Sequence, residues 1–254
     1  MSAVLEARGV TKRFGGLVAV NGVDLDVNER EILGLIGPNG AGKTTFFNCL
    51  TGMEVPTRGE IRYRGRRLPG SPARVTAAGL ARTFQNIRLF ANMSVLENVL
   101  VGRHCRTREG LFSAISRGRN FKREERESKD RSLELLDLVG LRRAADDLAR
   151  NLNYGDQRRL EIARALATEP GLLLLDEPTA GMNAAETRGT GDLVRRIRDQ
   201  GKAIVVIEHD MRFIFGLCDR VAVLVQGQKL TEGTPAEVQS DPRVIAAYLG
   251  TPAP

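Results

Sequence analysis

A glycine-rich loop, GPNGAGKT at residues 37–44, has the residue types and spacing that bind a phosphate chain. It follows the apolar run EILGLIG and precedes the helix-like TTFFNCLTG, so backbone N–H groups and a helix N-terminus can converge on phosphate oxygens. Lys43 is expected to reach the β- and γ-phosphates, and Thr44 to hold Mg²⁺ through its hydroxyl. A chance glycine turn is the alternative, whereas a dinucleotide loop needs a G-x-G-x-x-G spacing that this loop lacks. The predicted nucleotide ligands in the loop are Gly37, Pro38, Asn39, Gly40, Ala41, Gly42, Lys43, Thr44 and Thr45.

Four polar residues follow other strand-like runs. The run LLLLDEP delivers Asp176 and Glu177 at the strand end where open α/β sheets bind ligands. Asp176 is expected to support Mg²⁺ and Glu177 to orient or deprotonate an attacking water, although acids at strand ends are also common without a function. Gln85 ends ARTFQ and His209 lies in IVVIEHD, so each could contact the γ-phosphate, the metal or the water. For the histidine, a surface or core position is the alternative. The predicted metal ligands are Thr44, Gln85 and Asp176, and the predicted catalytic residues are Gln85, Glu177 and His209.

Length, composition and charge limit the class of protein. The 254 residues can form one large domain or two small ones, and the apolar (42%) and charged (27%) fractions are ordinary for a globular protein. The net charge of +7 is compatible with nucleic acid, an anionic membrane surface or an anionic small ligand. Widely spaced Cys49, Cys105 and Cys218 argue against a disulfide framework or a zinc site and favour a reducing compartment. Without a signal pattern or an apolar run near the ~20 residues that span a bilayer, we expect the chain to work outside the lipid.

The elements that position these residues alternate between strand and helix. EILGLIG, LLLLD, AIVVIE and VAVLV have the length of buried strands, which predicts a mostly parallel sheet covered on both faces. EIRYRG, at residues 60–65, alternates as an edge strand does. From Met93 to Ala167 helical signals dominate, with a predicted capping box at Ser94 and Glu97 and one long helix over residues 122–140. We therefore predict a single nucleotide-binding domain over residues 1–254, with an α/β core of residues 1–90 and 168–254 and an inserted helical lobe at 91–167.

Taken in chain order, GPNGAGKTT, ARTFQ, LNYGDQRRLEIARAL, LLLLDEP and IEHD resemble the motifs of the ATP-binding-cassette (ABC) ATPases over essentially the whole chain. The helical motif in the middle makes the resemblance specific, because other phosphate-loop proteins do not share it. The implied fold is α/β: a phosphate-loop NTPase core of the RecA-like type with a mostly parallel sheet, an antiparallel β subdomain and an inserted α-helical signature subdomain. The implied activity is hydrolysis of ATP with Mg²⁺. Phe14, in KRFGGLVAV, matches the aromatic residue that the family stacks on adenine, with a packed core position as the alternative.

The stretch LNYGDQ, at residues 152–157, corresponds to the signature motif of that family. The resemblance implies a head-to-tail dimer in which Asn153, Tyr154 and Gly155 of one subunit face the γ-phosphate held by the other. The common family form is Leu-Ser-Gly-Gly-Gln, so Asn153, Tyr154 and Asp156 are departures, as is Asn183 where the next loop usually has an acid. Asn153 can still donate a hydrogen bond, whereas the charge of Asp156 could weaken the closed dimer. Their effect on the rate of hydrolysis stays open.

Finer features are similar to one branch, the ATPase subunits of bacterial branched-chain amino-acid importers. These features are the signature tyrosine, RTFQNIRLFANMSVLENVLVG, GLFSAISRGRNFKREE and GTPAEVQSDPRVIAAYLG. The resemblance implies a peripheral ATPase at the cytoplasmic face of the inner (plasma) membrane that drives uptake of leucine, isoleucine, valine or related substrates. The implied partners are transmembrane permease subunits, a second ATPase subunit in a homo- or heterodimer and, indirectly, a periplasmic amino-acid-binding protein. Alternatives are another cargo, such as urea, amides or lipid, and a non-transport cassette ATPase that acts on nucleic acid or ribosomes, although those commonly carry two cassettes per chain.

The segment 103–131 is strongly basic, with ten Lys/Arg against five Asp/Glu. It is either a solvated helix face or a surface for anionic headgroups or the membrane partner, where each basic residue contributes about 1 kcal/mol. Phe112 and Phe121 are too few for base stacking, so we expect no nucleic-acid partner.

Overall fold

The computed structural model describes residues 3–103 and 119–249. The strands are β1 (Ala3–Phe14), β2 (Leu17–Asn28), β3 (Ile32–Ile36), β4 (Arg58–Tyr63), β5 (Arg66–Arg67), β6 (Leu80–Arg82), β7 (Leu172–Asp176), β8 (Ala203–Ile207), β9 (Arg220–Val225) and β10 (Gln228–Gly233). The helices are α1 (Lys43–Leu50), α2 (Pro72–Ala78), α3 (Val95–Arg103), α4 (Arg119–Leu138), α5 (Tyr154–Ala167), α6 (Ala184–Asp199), α7 (Met211–Leu217), α8 (Pro235–Ser240) and α9 (Pro242–Leu249), with 3₁₀ turns at Arg142–Ala144 and Ala149–Asn151. Among these described helices, none has the length and apolarity needed to cross a membrane.

The larger sheet has six strands in the order β10-β9-β3-β8-β7-β6, and all neighbours are parallel except β10 and β9. The prediction of a mostly parallel sheet is confirmed. Its central strands β3 and β8 are apolar at every position, as is β7 up to Asp176, because both faces of the sheet are covered. In β7, Leu173 and Leu175 belong to a core shared with α3–α7, whereas Leu172 and Leu174 belong to a core shared with β1, β2 and α1. The parallel strands β3, β6, β7 and β8 end at one edge, so the loops that follow them meet there.

The smaller sheet is antiparallel throughout, in the order β2-β1-β4-β5, as expected for the β subdomain. The prediction that residues 60–65 form an edge strand is wrong, because β4 pairs with β1 on one side and with the two-residue β5 on the other. The alternation in β4 has a different cause. Ile61 and Tyr63 point into the core and are each only 4% exposed, while the residues between them face outward.

The helices α3, α4 and α5 pack against one another between β6 and β7 in the sequence. The predicted capping box starts α3: the Ser94 N–H donates to Glu97 Oε2 at 2.6 Å, and the Glu97 N–H donates to Ser94 Oγ at 3.1 Å. The predicted long helix is α4, and Leu136 near its end is fully buried. This helical region is therefore a long insertion in the sequence between β6 and β7, two strands that are neighbours in the sheet.

Much of the basic segment, including Cys105 and Phe112, lies outside the described residues, and the side chain of Phe121 does as well. In the described part, α4 carries exposed intrahelical ion pairs, such as Arg123 with Glu127 at 3.6 Å. Exposed pairs of this kind contribute about 0.3–0.5 kcal/mol. The side chains of these ion pairs are therefore exposed in the isolated chain.

Candidate functional site

The glycine-rich loop is packed so closely that two of its glycines cannot carry a side chain. A Cβ on Gly37 would lie 2.1 Å from the carbonyl oxygen of Leu224, and a Cβ on Gly42 would lie 2.3 Å from that of Ala19. Gly42 also has a φ of 93°, a conformation that favours glycine. It caps α1, which begins at Lys43, so the loop ends at the positive end of a helix.

Lys43 lies inside this loop and is only 6% exposed. Its ammonium group donates to the carbonyl oxygens of Gly37 at 2.6 Å and Pro38 at 3.0 Å. Burial lowers the pKa of Lys43, and the nearby charges of Glu177 and Asp176 oppose that change. The ammonium group is thus held beside the loop carbonyls, at the place where a phosphate chain would lie.

A cavity of about 500 Å³ opens beside the loop. It is lined by Leu17, Val18, Ala19, Asn39, Gly40, Ala41, Gly42, Lys43, Thr44, Thr45, His209, Gln226 and Gly227. Phe14 is not in this wall; it lies at the end of β1, with its ring 45% exposed and 4.9 Å below the Lys12 ammonium. The sequence did not predict that the apolar residues at the start of β2 line this cavity, although they follow Phe14 by only a few positions in the sequence.

Three predicted residues from different loops meet at one carboxylate. Glu177 Oε2 accepts a hydrogen bond from Gln85 Nε2 at 2.9 Å, and Glu177 Oε1 lies 2.6 Å from His209 Nε2. The backbone of Glu177 has a φ of 49°, which is uncommon outside glycine, and its N–H donates to the Ile207 carbonyl at 2.9 Å. The arrangement can hold an ionised carboxylate at the mouth of the site and aim it at a water molecule.

Asp176, one residue earlier, is buried and forms an ion pair with Arg82. The two groups are 2.6 Å apart, and both side chains are at most 7% exposed. Arg82 also donates to Asn48 Oδ1 at 2.6 Å, which connects α1 to the end of β7. Arg82 was not predicted, and the only signal was a basic residue at the end of the short run before Gln85.

Glu208 is a second functional neighbour that the sequence reasoning missed. It is 4% exposed and accepts hydrogen bonds from the Thr179 N–H at 2.7 Å and the Thr179 hydroxyl at 2.5 Å. It also accepts from the His209 N–H at 3.1 Å. These bonds join the turn after Glu177 to the loop that carries His209.

The donor set beside the loop suits a hard cation. The Thr44 hydroxyl, the Asp176 carboxylate and the Gln85 amide offer oxygen, the ligand atom that Mg²⁺ prefers. Within the part of the chain that the structure describes, no cluster of three or more His, Cys, Asp or Glu side chains could hold a metal ion. A cation here would therefore take its other ligands from water and phosphate, which is the usual arrangement for Mg²⁺.

The signature stretch forms the N-terminus of α5. Asn153 is the N-cap: its side-chain oxygen accepts from the Asp156 N–H at 2.8 Å, and its amide donates to Asp156 Oδ2 at 2.9 Å. Asp156 also pairs with Arg159 at 3.5 Å. A Cβ on Gly155 would lie 3.1 Å from Glu186 Oε1, so a side chain there has little room. The donor of Asn153 and the charge of Asp156, two of the departures noted above, thus have partners within the helix end itself.

Asn183, which also departs from the common family form, is the N-cap of α6. Its side-chain oxygen accepts from the N–H groups of Ala185 at 2.9 Å and Glu186 at 3.0 Å, and Glu186 accepts from the Asn183 N–H at 2.8 Å. Asparagine and aspartate cap helices about equally well. The missing acid therefore costs this loop no local structure.

Comparison with protein families gives two matches. The family described as ABC transporter matches residues 20–180, and the family described as branched-chain amino acid ATP-binding cassette transporter matches residues 228–254. The chain is 49% identical to the high-affinity branched-chain amino acid transport ATP-binding protein LivG of Salmonella typhimurium over 249 residues, covering 97% of this chain and 98% of the relative. It is 45% identical to BraF of Pseudomonas aeruginosa, a protein with the same description, over the same shares.

Solved structures with the same fold are also similar in sequence. A nucleotide-free ATP-binding cassette from an ABC transporter superimposes with a TM-score of 0.86 at 30% identity, covering 98% of this chain and 100% of that one. The ADP conformation of a cassette of an ABC transporter gives 0.86 at 29% identity, with the same coverage. A dimeric post-hydrolysis cassette bound to ADP and Pi gives 0.76 at 27% identity, covering 91% of this chain and 98% of that one.

Proposed function

Because this chain belongs to the ABC transporter family of ATP-binding cassettes, we propose that its site hydrolyses ATP with Mg²⁺ to power the import of branched-chain amino acids. The observation that carries the proposal is the meeting of Gln85, Glu177 and His209 next to the phosphate loop. Three loops that follow separate strands contribute these side chains. A structural carboxylate at a strand end does not need two polar partners of this kind.

In the proposed reaction, the loop amides and Lys43 bind the β- and γ-phosphates. Glu177 accepts a hydrogen bond from the attacking water and takes its proton as the water oxygen bonds to the γ-phosphorus; the bond from that phosphorus to the β–γ bridging oxygen breaks, and ADP leaves with this oxygen. Gln85 and His209 hold the two carboxylate oxygens of Glu177. Thr44, Asp176 and Gln85 would hold Mg²⁺, which would supply positive charge to the phosphates when bound. Adenine would lie in the cavity near Val18, and Phe14 is the strand partner of the lining residue Leu17.

The proposed cargo rests on the relatives. LivG and BraF are named as branched-chain amino acid transport proteins, and the second family match covers residues 228–254 of this chain. We propose hydrophobic amino acids such as leucine, isoleucine and valine as the substrates. Uptake of labelled leucine by vesicles carrying the complete transporter tests the cargo, with urea, amide and lipid transport as the competing outcomes.

The proposed assembly is a head-to-tail pair of cassettes at the cytoplasmic face of the membrane. A similar cassette has been solved as a dimer in a post-hydrolysis state with ADP and Pi. In this pair, Asn153, Tyr154 and Gly155 would face the γ-phosphate held by the other subunit. Transmembrane permease subunits would contact the cassettes directly, and a periplasmic binding protein would act through them. We also propose that residues 91–167 form a subdomain distinct from the α/β core.

The site is tested by replacing Glu177 with glutamine. We expect Glu177→Gln to bind ATP as the unchanged protein does and to lose about 10²–10⁴-fold in turnover, since general-base catalysis has that magnitude. Glu125→Gln, an exposed substitution of the same kind on α4, is the control and should keep its turnover. Near-normal phosphate release by Glu177→Gln would reject the assignment.

A further inference from the structure

We propose that Arg158 and the hydroxyl of Tyr154 are positioning residues that hold Gln85 against Glu177. The inference rests on the proposed ATPase function and connects the signature motif to the catalytic residues of that site. Arg158 lies on α5, one turn after the signature residues, and is only 3% exposed. Its guanidinium group is aimed away from solvent and toward the loop that carries Gln85.

The contacts of Arg158 explain how it acts. Nη1 donates to the Phe84 carbonyl oxygen at 2.6 Å, and Nη2 donates to the Gln85 carbonyl oxygen. Nη2 also donates to the Tyr154 hydroxyl at 2.8 Å. One guanidinium group thus holds two consecutive peptide carbonyls of the loop and is itself fixed by the signature tyrosine.

The loop needs such support because it has little of its own. The strand β6 ends at Arg82, and residues 84–93 form neither helix nor strand. Yet the side chain of Gln85 must keep its amide 2.9 Å from Glu177 Oε2. A shift of the Gln85 backbone would carry the amide away from the carboxylate. The chain of contacts therefore runs from Tyr154 through Arg158 and Gln85 to Glu177.

The charge environment supports a positioning role over a purely stabilising one. Glu161, 2% exposed, lies 3.5 Å from Arg158 and accepts from the Phe84 N–H at 3.4 Å. A buried ion pair often contributes little to stability compared with apolar side chains of similar volume. Here the two residues of the pair fix the backbone of Phe84: Arg158 donates to its carbonyl oxygen, and Glu161 accepts from its N–H.

Tyr154 lies between Arg158 and the loop that follows Glu177, with part of its side chain exposed. Its side chain is 45% exposed, and its ring lies 5.3 Å from the Arg158 guanidinium carbon. On its other side, a Cβ on Gly181 would lie 3.2 Å from the ring, so Tyr154 packs against the loop that follows Glu177. Glycine, the common residue of the family at this place, can form neither contact. The departure at Tyr154 thus adds a link between the signature motif and the catalytic loops.

Kinetics of Tyr154→Phe and Arg158→Lys test the proposal. Each variant should lower kcat about tenfold, the effect of losing one hydrogen bond to a charged group, while KM for ATP stays within about twofold. In a Gln85→Ala background, neither substitution should lower kcat by more than about twofold, because the group they position is gone. Arg131→Gln, which removes an exposed cation from α4, is the control and should leave kcat unchanged.

Each other outcome counts against the proposal. Losses that multiply with Gln85→Ala would mean that Arg158 supports the fold generally, and a raised KM with normal kcat would mean that it serves binding. If Arg158→Lys fails to fold, Tyr154→Phe decides alone, because it removes one hydroxyl from a partly exposed ring. Absence of ATP hydrolysis by the unchanged protein in its complete transporter would instead refute the proposed function.

Discussion

Glu177 combines an unusual backbone with a fully engaged carboxylate. A φ of 49° at a residue other than glycine costs about 1–3 kcal/mol and persists only where the surroundings hold it. Here the Ile207 carbonyl holds the Glu177 N–H, and Gln85 and His209 hold its two side-chain oxygens. The strain is stored at the residue that we assign to the attacking water, where a fixed direction matters most.

At the same scale, a prediction for nucleotide binding concerns Lys43. Lys43→Ala removes charge-assisted hydrogen bonds to phosphate, so ATP affinity measured by calorimetry should fall about 10–100-fold or more. Lys129→Ala, on the exposed face of α4, should bind ATP as before. Unchanged affinity in Lys43→Ala would mean that the loop does not hold the phosphate chain.

At the scale of elements, α1 joins the phosphate loop to the core. Phe46 and Phe47 are fully buried beneath the larger sheet, and truncation of such a side chain typically costs about 3–5 kcal/mol. Cys49, two residues on, is 1% exposed on the same helix. Burial raises the pKa of its thiol to about 11; the charge of Lys12 lowers it by a smaller amount, and the charge of Glu54 adds slightly to the rise.

This thiol gives the protein a stability that depends on pH. In the unfolded chain a cysteine loses its proton near pH 8.5, whereas folded Cys49 keeps it until about pH 11. The unfolded state thus binds fewer protons between these values, so the free energy of unfolding falls as pH rises through them. Urea unfolding at about pH 8 and pH 10 should show this fall, and Cys49→Ala should reduce it. An equal fall in both proteins would contradict the argument.

Motifs and elements that depend on neighbouring residues could be predicted from the sequence, whereas contacts between distant parts of the chain could not. The phosphate loop, the capping box at Ser94 and the strand β7 each depend on neighbours in sequence, and the structure has them where expected. Arg158 bonds to backbone carbonyls 73 and 74 residues away, and any residue type can offer a carbonyl. No spacing rule could reveal it.

The wrong edge-strand prediction has a related cause. The partner strand β5 has only two residues, Arg66 and Arg67, which is too short to leave a pattern in the sequence. The cavity wall at Val18 was missed for a different reason. Reasoning from motifs drew attention to Phe14, while the apolar residues that face the loop carry no special chemistry.

At the scale of the whole molecule, the proposed dimer predicts that one cassette holds only part of each site. The phosphate loop and His209 line one cavity, and Glu177 lies 2.6 Å from His209, but residues 153–155 are not among the described residues that line this cavity. The signature residues lie at the exposed start of α5 instead. A second subunit is the simplest source of a signature motif above the bound triphosphate.

Mixing two inactive variants tests this division of labour. A Gly155→Glu subunit and a Lys43→Ala subunit should form mixed dimers in which one site carries both lesions and the other carries none. Hydrolysis by the mixture should therefore partly recover, whereas each variant alone stays inactive. Measured phosphate release that does not recover, in dimers proven to be mixed, would argue against sites shared between subunits.

The pair formed by Arg82 and Asp176 means that the chain supplies its own counter-ion for a buried acid at the end of β7. The folded chain therefore needs no dissolved cation to neutralise that carboxylate. A metal ion that used Asp176 as a ligand, as proposed above, would have to share the carboxylate with this guanidinium group.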